Sequence, residues 1–158
     1  MWWEGIVMTR QNVLFLCTGN SARSLIAEAL LRERAGDLFN VYSAGTHPRG
    51  VNPLALRVLR ELHISTDGLR SKGLAELPPQ INFRYLIAVC AAAQRDCPVV
   101  GRSVVERLFW WIENPANCED TDDDPLDRFR EARDEIDERI GAWLMTLRER
   151  RELPALVA

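Results

Sequence analysis

The chain has 158 residues and a hydrophobic fraction of 47%, enough for one domain with a proper core, and no apolar run approaches the ~20 residues that span a bilayer. Net charge is −3 with both signs interspersed, which speaks against a nucleic-acid binder. Met1-Trp2-Trp3-Glu4-Gly5-Ile6-Val7 is too short for a signal peptide and lacks its basic start, so residues 1–10 read as an N-terminal extension, with Met8 as an alternative start, and a cytoplasmic, reducing location is expected.

Residues 12–17 read as a buried strand. Ser24 to Ala35 reads as a helix with apolar Leu25, Ile26, Ala29 and Leu30, and Gly36 as its stop. Phe39 to Ser43 is a second short strand, followed by a Gly- and Pro-containing loop from Ala44 to Val51. Asn52-Pro53 is an N-cap with proline at the first helical position, opening a helix through about His63. Arg84 to Val89 is a third strand and Arg107 to Ile112 a fourth. An acidic loop from Glu119 leads to a second cap pair, Asp124-Pro125. The helix behind it runs to about Arg148, with Leu126, Phe129, Ile136, Ile140, Trp143 and Leu147 recurring every three or four residues. Residues 151–158 are expected to fray. Residues 11–150 thus form a single domain with no repeat and no internal linker. Strands alternating with helices indicate an α/β fold with a four-stranded parallel sheet covered on both faces, and right-handed crossovers favour the flavodoxin-like order 2-1-3-4.

Cys17-Thr18-Gly19-Asn20-Ser21-Ala22-Arg23-Ser24 directly follows the first strand. A strand, then Cys-x5-Arg-Ser, then an apolar helix is the pattern of an oxyanion cradle with a sulfur nucleophile at its base. Amides from Thr18 to Arg23 converge, the helix N-terminus adds partial positive charge, and Arg23 adds a full one. Gly19 is expected to supply the positive φ that such a nest needs. Ser24 can donate to the sulfur, and the same field favours the thiolate. No histidine base is required; His47 and His63 are the only histidines and neither belongs to a Cys-His motif. The loop lies at the carboxyl end of strand one, beside the switch point where such folds bind ligands.

Cys90 follows strand three, and Cys97 lies seven residues later. Strands one and three are neighbours about 4.8 Å apart in the expected order, so a modest shift could join the sulfurs of Cys17 and Cys90. Residues 91–96 favour helix, which would hold Cys90 and Cys97 roughly 10.5 Å apart along the axis. A disulfide needs Cα atoms within about 7 Å, so a 90–97 bridge requires that segment to bend, which Pro98 assists. In a reducing compartment these cysteines read as catalytic or redox-active. Cys118 has no evident partner and is taken as incidental.

Cys17 to Ser24, Ser43-Ala44-Gly45-Thr46, Gly50-Val51-Asn52-Pro53, Cys90 to Cys97-Pro98 and Asn114-Pro115-Ala116 together resemble the thioredoxin-coupled arsenate reductases, relatives of the low-molecular-weight tyrosine phosphatases. The Cys-x6-Cys-Pro segment is the part characteristic of the reductases. The resemblance covers about residues 12–147. It implies that arsenate (or phosphate) sits on the amides of Thr18, Gly19, Asn20, Ser21, Ala22 and Arg23. Cys17 attacks arsenic, Cys90 and then Cys97 carry the disulfide outward, and thioredoxin reduces it. No cofactor or resident metal is implied, and a monomer is expected.

Two positions depart from the pattern. The family's general acid, an aspartate before the proline matching Pro115, is Asn114 here, and an amide delivers no proton at neutral pH. Some members also bind potassium behind the cradle through residues matching Asn20, Glu28, Ser43 and an aspartate. The aspartate position is Lys72, the only lysine among twenty basic side chains, and it is expected to supply the charge internally. The alternative activities are a tyrosine phosphatase impaired by Asn114, a reductase using a small thiol, and a non-catalytic oxyanion-binding or redox module.

Overall fold

The structure is a computed structural model and describes residues 9–95, 102–117 and 122–154. Met8, Cys97, Pro98, Cys118 and the last four residues of the tail therefore lie outside the described residues. The elements in chain order are β1 (Gln11–Cys17), α1 (Arg23–Ala35), β2 (Phe39–Gly45), α2 (Pro53–Arg60), a 3-10 turn (Leu74–Glu76), β3 (Phe83–Ala88), α3 (Ala91–Arg95), β4 (Val104–Phe109) and α4 (Pro125–Glu149). All pairings are parallel and the strand order is β2-β1-β3-β4, the expected topology.

Val13 to Cys17 are buried without alternation, as a central parallel strand with both faces covered must be. The edge strand β4 alternates between half-buried and exposed positions instead. Helix α1 packs on β2 and α4, α4 also meets α2, and α3 lies against β1 and β3. A ring cluster fills the space beneath α4. Trp143 stacks on Phe39 at 5.4 Å and meets Tyr85 and Trp110 edge-on at 5.0 and 6.1 Å between centroids.

Both cap pairs form. The Asn52 side chain accepts from the Leu54 amide at 2.9 Å, and Asp124 accepts from the Leu126 amide at 3.0 Å. Three elements differ from expectation by more than one residue at an end. Helix α2 ends at Arg60, because His63 enters the left-handed region (φ 56°) and the Ile64 amide returns to the Leu59 carbonyl at 3.1 Å. Strand β2 continues to Gly45, which pairs with Cys17 and bridges to Gly73. Strand β4 occupies 104–109 rather than 107–112. Its ladder closes with the Trp110 amide on the Ala88 carbonyl, and Trp110 and Ile112 beyond it are core residues without being strand residues.

The tail does not fray through residue 154. Arg151 turns left-handed (φ 60°), the Glu152 amide closes on Leu147 O at 2.8 Å, and Leu153 is buried. The Glu152 carboxylate accepts from the Tyr85 hydroxyl at 2.8 Å. Burial first, and that hydrogen bond second, hold the phenol protonated well above its ordinary range.

The Asp124 cap gives a direct test. Asp124→Ala should lower unfolding stability by about 1 kcal/mol in urea titrations. It should leave the reactivity of Cys17 towards iodoacetamide unchanged, because Asp124 serves the helix and not the pocket.

Candidate active site

The β1–α1 loop points its peptide N–H groups inward because its carbonyls are held outward. Four amides of the loop after β2 take those carbonyls: Thr46 to Cys17 O (3.1 Å), His47 to Thr18 O (2.8 Å), Arg49 to Gly19 O (2.9 Å) and Asn52 to Ser21 O (2.9 Å). Helix α1 opens at Ala22 with no side-chain cap, so its first amides keep no partner from a capping group. A concavity of this kind, at a helix N-terminus, is electropositive and suited to an oxyanion.

Cys17 lies at the base, 3% exposed. Its Sγ accepts from the Asn20 amide at 3.2 Å and lies 2.8 Å from Ser24 Oγ. The direction of the second bond follows from the network. Asn20 Oδ1 accepts from the Lys72 amide (2.9 Å), so Nδ2 is the group facing Ser24 Oγ (2.8 Å) and Ser43 Oγ (3.0 Å). Ser24 thus accepts from Asn20 and has its own O–H free for the sulfur. Two donors thus converge on one sulfur.

The positive φ expected at Gly19 falls on Asn20 (φ 43°). Asparagine tolerates that region, and here four bonds to its amide groups fix it there. Asn20 is fully buried, and its side chain acts behind the loop rather than in the pocket. Thr18, Gly19, Ser21, Ala22 and Arg23 do line the pocket, together with Arg49, Gly50, Val51, Asn52, Asn114 and Ala116. Arg23 donates from Nη1 to the Ile112 carbonyl at 2.9 Å, which aims the guanidinium and leaves its other N–H groups for a ligand. Sequence reasoning missed Arg49 and Asn52. Their loop is contiguous with the motif Gly50-Val51-Asn52-Pro53, but its crossing over the cradle is a tertiary contact.

Glu28, Ser43 and Lys72 meet behind the cradle. Ser43 Oγ donates to Glu28 Oε1 at 2.8 Å, and Lys72 Nζ lies 3.5 Å from the same oxygen and 3.4 Å from Ser43 Oγ. Lys72 is 8% exposed, a buried ammonium rather than a solvated surface charge.

Cys90 is a free, buried thiol at the end of β3. Its Sγ lies 3.4 Å from Thr18 Oγ1 and accepts from the Ala93 amide at 3.4 Å. The β1–β3 register therefore sets Cys90 beside the residue that follows Cys17. Asn114 lies at the pocket wall with its Oδ1 accepting from the Ala116 amide at 3.1 Å. Glu113 lines an adjoining depression with Asp123, Glu131 and Glu135, so no carboxylate belongs to a described residue of the Cys17 pocket.

The profile of the low molecular weight phosphotyrosine protein phosphatases matches residues 12–153. The chain belongs to this family. An arsenate reductase of Bacillus licheniformis is 38% identical over 141 residues, covering 88% of this chain and 99% of that protein. The solved thioredoxin-dependent arsenate reductase of Corynebacterium glutamicum is 29% identical with a TM-score of 0.65, over 92% of this chain and 66% of that one. A solved arsenate reductase in a phosphate-binding state shares the fold of this phosphatase-family chain at a TM-score of 0.69 and 23% identity, covering 86% of this chain and 98% of that one.

Gly45 tests how closely β2 must approach the cradle. A β-carbon there would stand 2.6 Å from Thr18 O and 2.8 Å from Asn20 N, both backbone atoms. Gly45→Ala should cost about 1–3 kcal/mol in stability. It should also abolish the protection that phosphate gives Cys17 against iodoacetamide, followed by peptide mass spectrometry.

Proposed function

We propose that this protein is an arsenate reductase that recycles through thioredoxin. The observation that carries this reading is the position of Cys90 Sγ, 3.4 Å from Thr18 Oγ1 at the rim of the Cys17 cradle. A hydrolase has no use for a second thiol there. The Cys17 thiolate attacks arsenic and one arsenate oxygen leaves as water, giving a sulfur–arsenic bond. Cys90 then attacks the Cys17 sulfur; the pair of electrons of that bond passes to arsenic, arsenite departs, and a 17–90 disulfide remains. Cys97, outside the described residues, attacks Cys90 and frees Cys17. A thioredoxin dithiol reduces the resulting 90–97 bridge. The reductase names of the relatives, one of them thioredoxin-dependent, support this assignment.

The phosphatase alternative keeps the cradle but lacks its acid. Asn114 stands at the general-acid position implied by the family, and proton donation is typically worth about 10²- to 10⁴-fold.

The coupled assay decides. With thioredoxin, thioredoxin reductase and NADPH, arsenate-dependent NADPH oxidation should fall at least about 10²-fold in each of Cys17→Ser, Cys90→Ser and Cys97→Ser. Hydrolysis of an aryl phosphate without NADPH oxidation, lost only in Cys17→Ser, would sink the assignment.

Lys72 takes the role of an internal cation in this reading. Its ammonium is set against the Glu28 carboxylate and Ser43 hydroxyl that steady Asn20, and through Asn20 the sulfur. Turnover in potassium chloride and in tetramethylammonium chloride should agree within about twofold, since an ammonium already occupies that charge position. A strong requirement for potassium would refute it.

A further inference from the structure

Arg49 is the one charged side chain of the described pocket lining besides Arg23. Its backbone is fixed from both sides: the Arg49 amide holds Gly19 O at 2.9 Å, and the next residue, Gly50, turns at φ 88° with its amide on Ser71 Oγ at 3.1 Å. Ser71 Oγ in turn donates to the same Gly19 carbonyl at 3.2 Å. The stem lies along the cradle loop, with Cγ and Cδ 3.6 and 3.5 Å from the place a β-carbon of residue 19 would take. Neither a hydrogen bond nor an ion pair engages the guanidinium among the described residues. The remaining wall is small or uncharged, and it holds no aromatic ring on which an aryl group could stack.

An anion attacked by Cys17 at the base must carry its departing oxygen on the opposite side, towards the mouth, because attack and departure are in line. We propose that Arg49 is a specificity-determining residue that engages this outward oxygen. The pocket thereby selects a free tetrahedral oxyanion over an ester, whose outward oxygen carries an organic group in place of charge. Arg23 grips the anion from within and Arg49 closes on it from the rim, so the contribution of Arg49 is to affinity rather than to the chemical step. The inference rests on the cradle half of the function proposed above and is independent of the disulfide relay.

The test measures protection of Cys17 from iodoacetamide in the full chain by phosphate, arsenate and phenyl phosphate, read by mass spectrometry of the Cys17 peptide. Arg49→Ala should raise the half-protecting concentration of phosphate and arsenate about tenfold, Arg49→Lys by less, because a point charge replaces a fork. Phenyl phosphate should change by less than about twofold, since its outward oxygen offers Arg49 little charge. Arg60→Ala, which removes the same charge from the exposed end of α2, should leave all three values as they are. Equal losses for free anion and ester, no loss in Arg49→Ala, or a matching loss in Arg60→Ala would overturn the proposal. Protection that behaves as expected in a protein without arsenate-dependent NADPH oxidation would leave Arg49 its role and remove only the reductase reading.

Discussion

A cradle made of backbone must turn successive carbonyls away from the anion without leaving any of them unpaired. Here the carbonyls of Cys17, Thr18, Gly19 and Ser21 are taken by amides of the loop that follows β2, and that of Ala22 by the Ile26 amide of α1. Five carbonyls of the segment are thereby held away from competing for its amides. Gly45 stands at the hinge of this arrangement, because only a residue without a β-carbon lets β2 come within bonding range of the cradle.

Behind that layer lies a second, built around Asn20. The Asn20 side-chain amide joins the Ser24 hydroxyl, the Ser43 hydroxyl and the Lys72 backbone, while the backbone N–H of Asn20 donates to the sulfur. Charges buried at this depth are costly unless paired, and Glu28 is paired twice, with Lys72 from within and with Arg32 at 2.8 Å from the solvent side. The network holds the nucleophile's donors in place. The residues that hold the donors of Cys17 are the same ones that keep α1, β2 and the Lys72 segment together.

The redox reading draws on a different feature, the parallel register of β1 and β3. Parallel strands present their carboxyl ends on one rim, so Cys17, the last residue of β1, and Cys90, two residues beyond β3, share that rim, with Cys90 Sγ 3.4 Å from Thr18 Oγ1. Placement at the rim also sets Cys90 against the short helix α3, where the Ala93 amide meets its sulfur.

Much of this was legible in the chain. The unbroken apolar run before Cys17 marked a central strand, the Asn-Pro and Asp-Pro pairs marked two helix starts, and the spacing from Cys17 to Ser24 marked the cradle, because each of these signals is local in sequence. The ends of elements were harder. Leu-Phe-Trp-Trp-Ile looked like strand throughout, yet Trp110 and Ile112 are core beyond the end of the strand, since burial and hydrogen-bond pairing are separate demands. Left-handed turns at His63 and Arg151 carry no glycine to announce them. The tail was misjudged because its anchor, Tyr85, is far away in the chain.

The sequence alone determined the fold class and marked Cys17 and Arg23 as the proposed nucleophile and anion-binding guanidinium, because strand, loop and helix are contiguous there. Only the tertiary structure decided that Asn20 bears the left-handed turn, that Lys72 is buried against Glu28, and that Arg49 lines the pocket. Each of those depends on contacts between segments 20 or more residues apart, for which no local pattern codes.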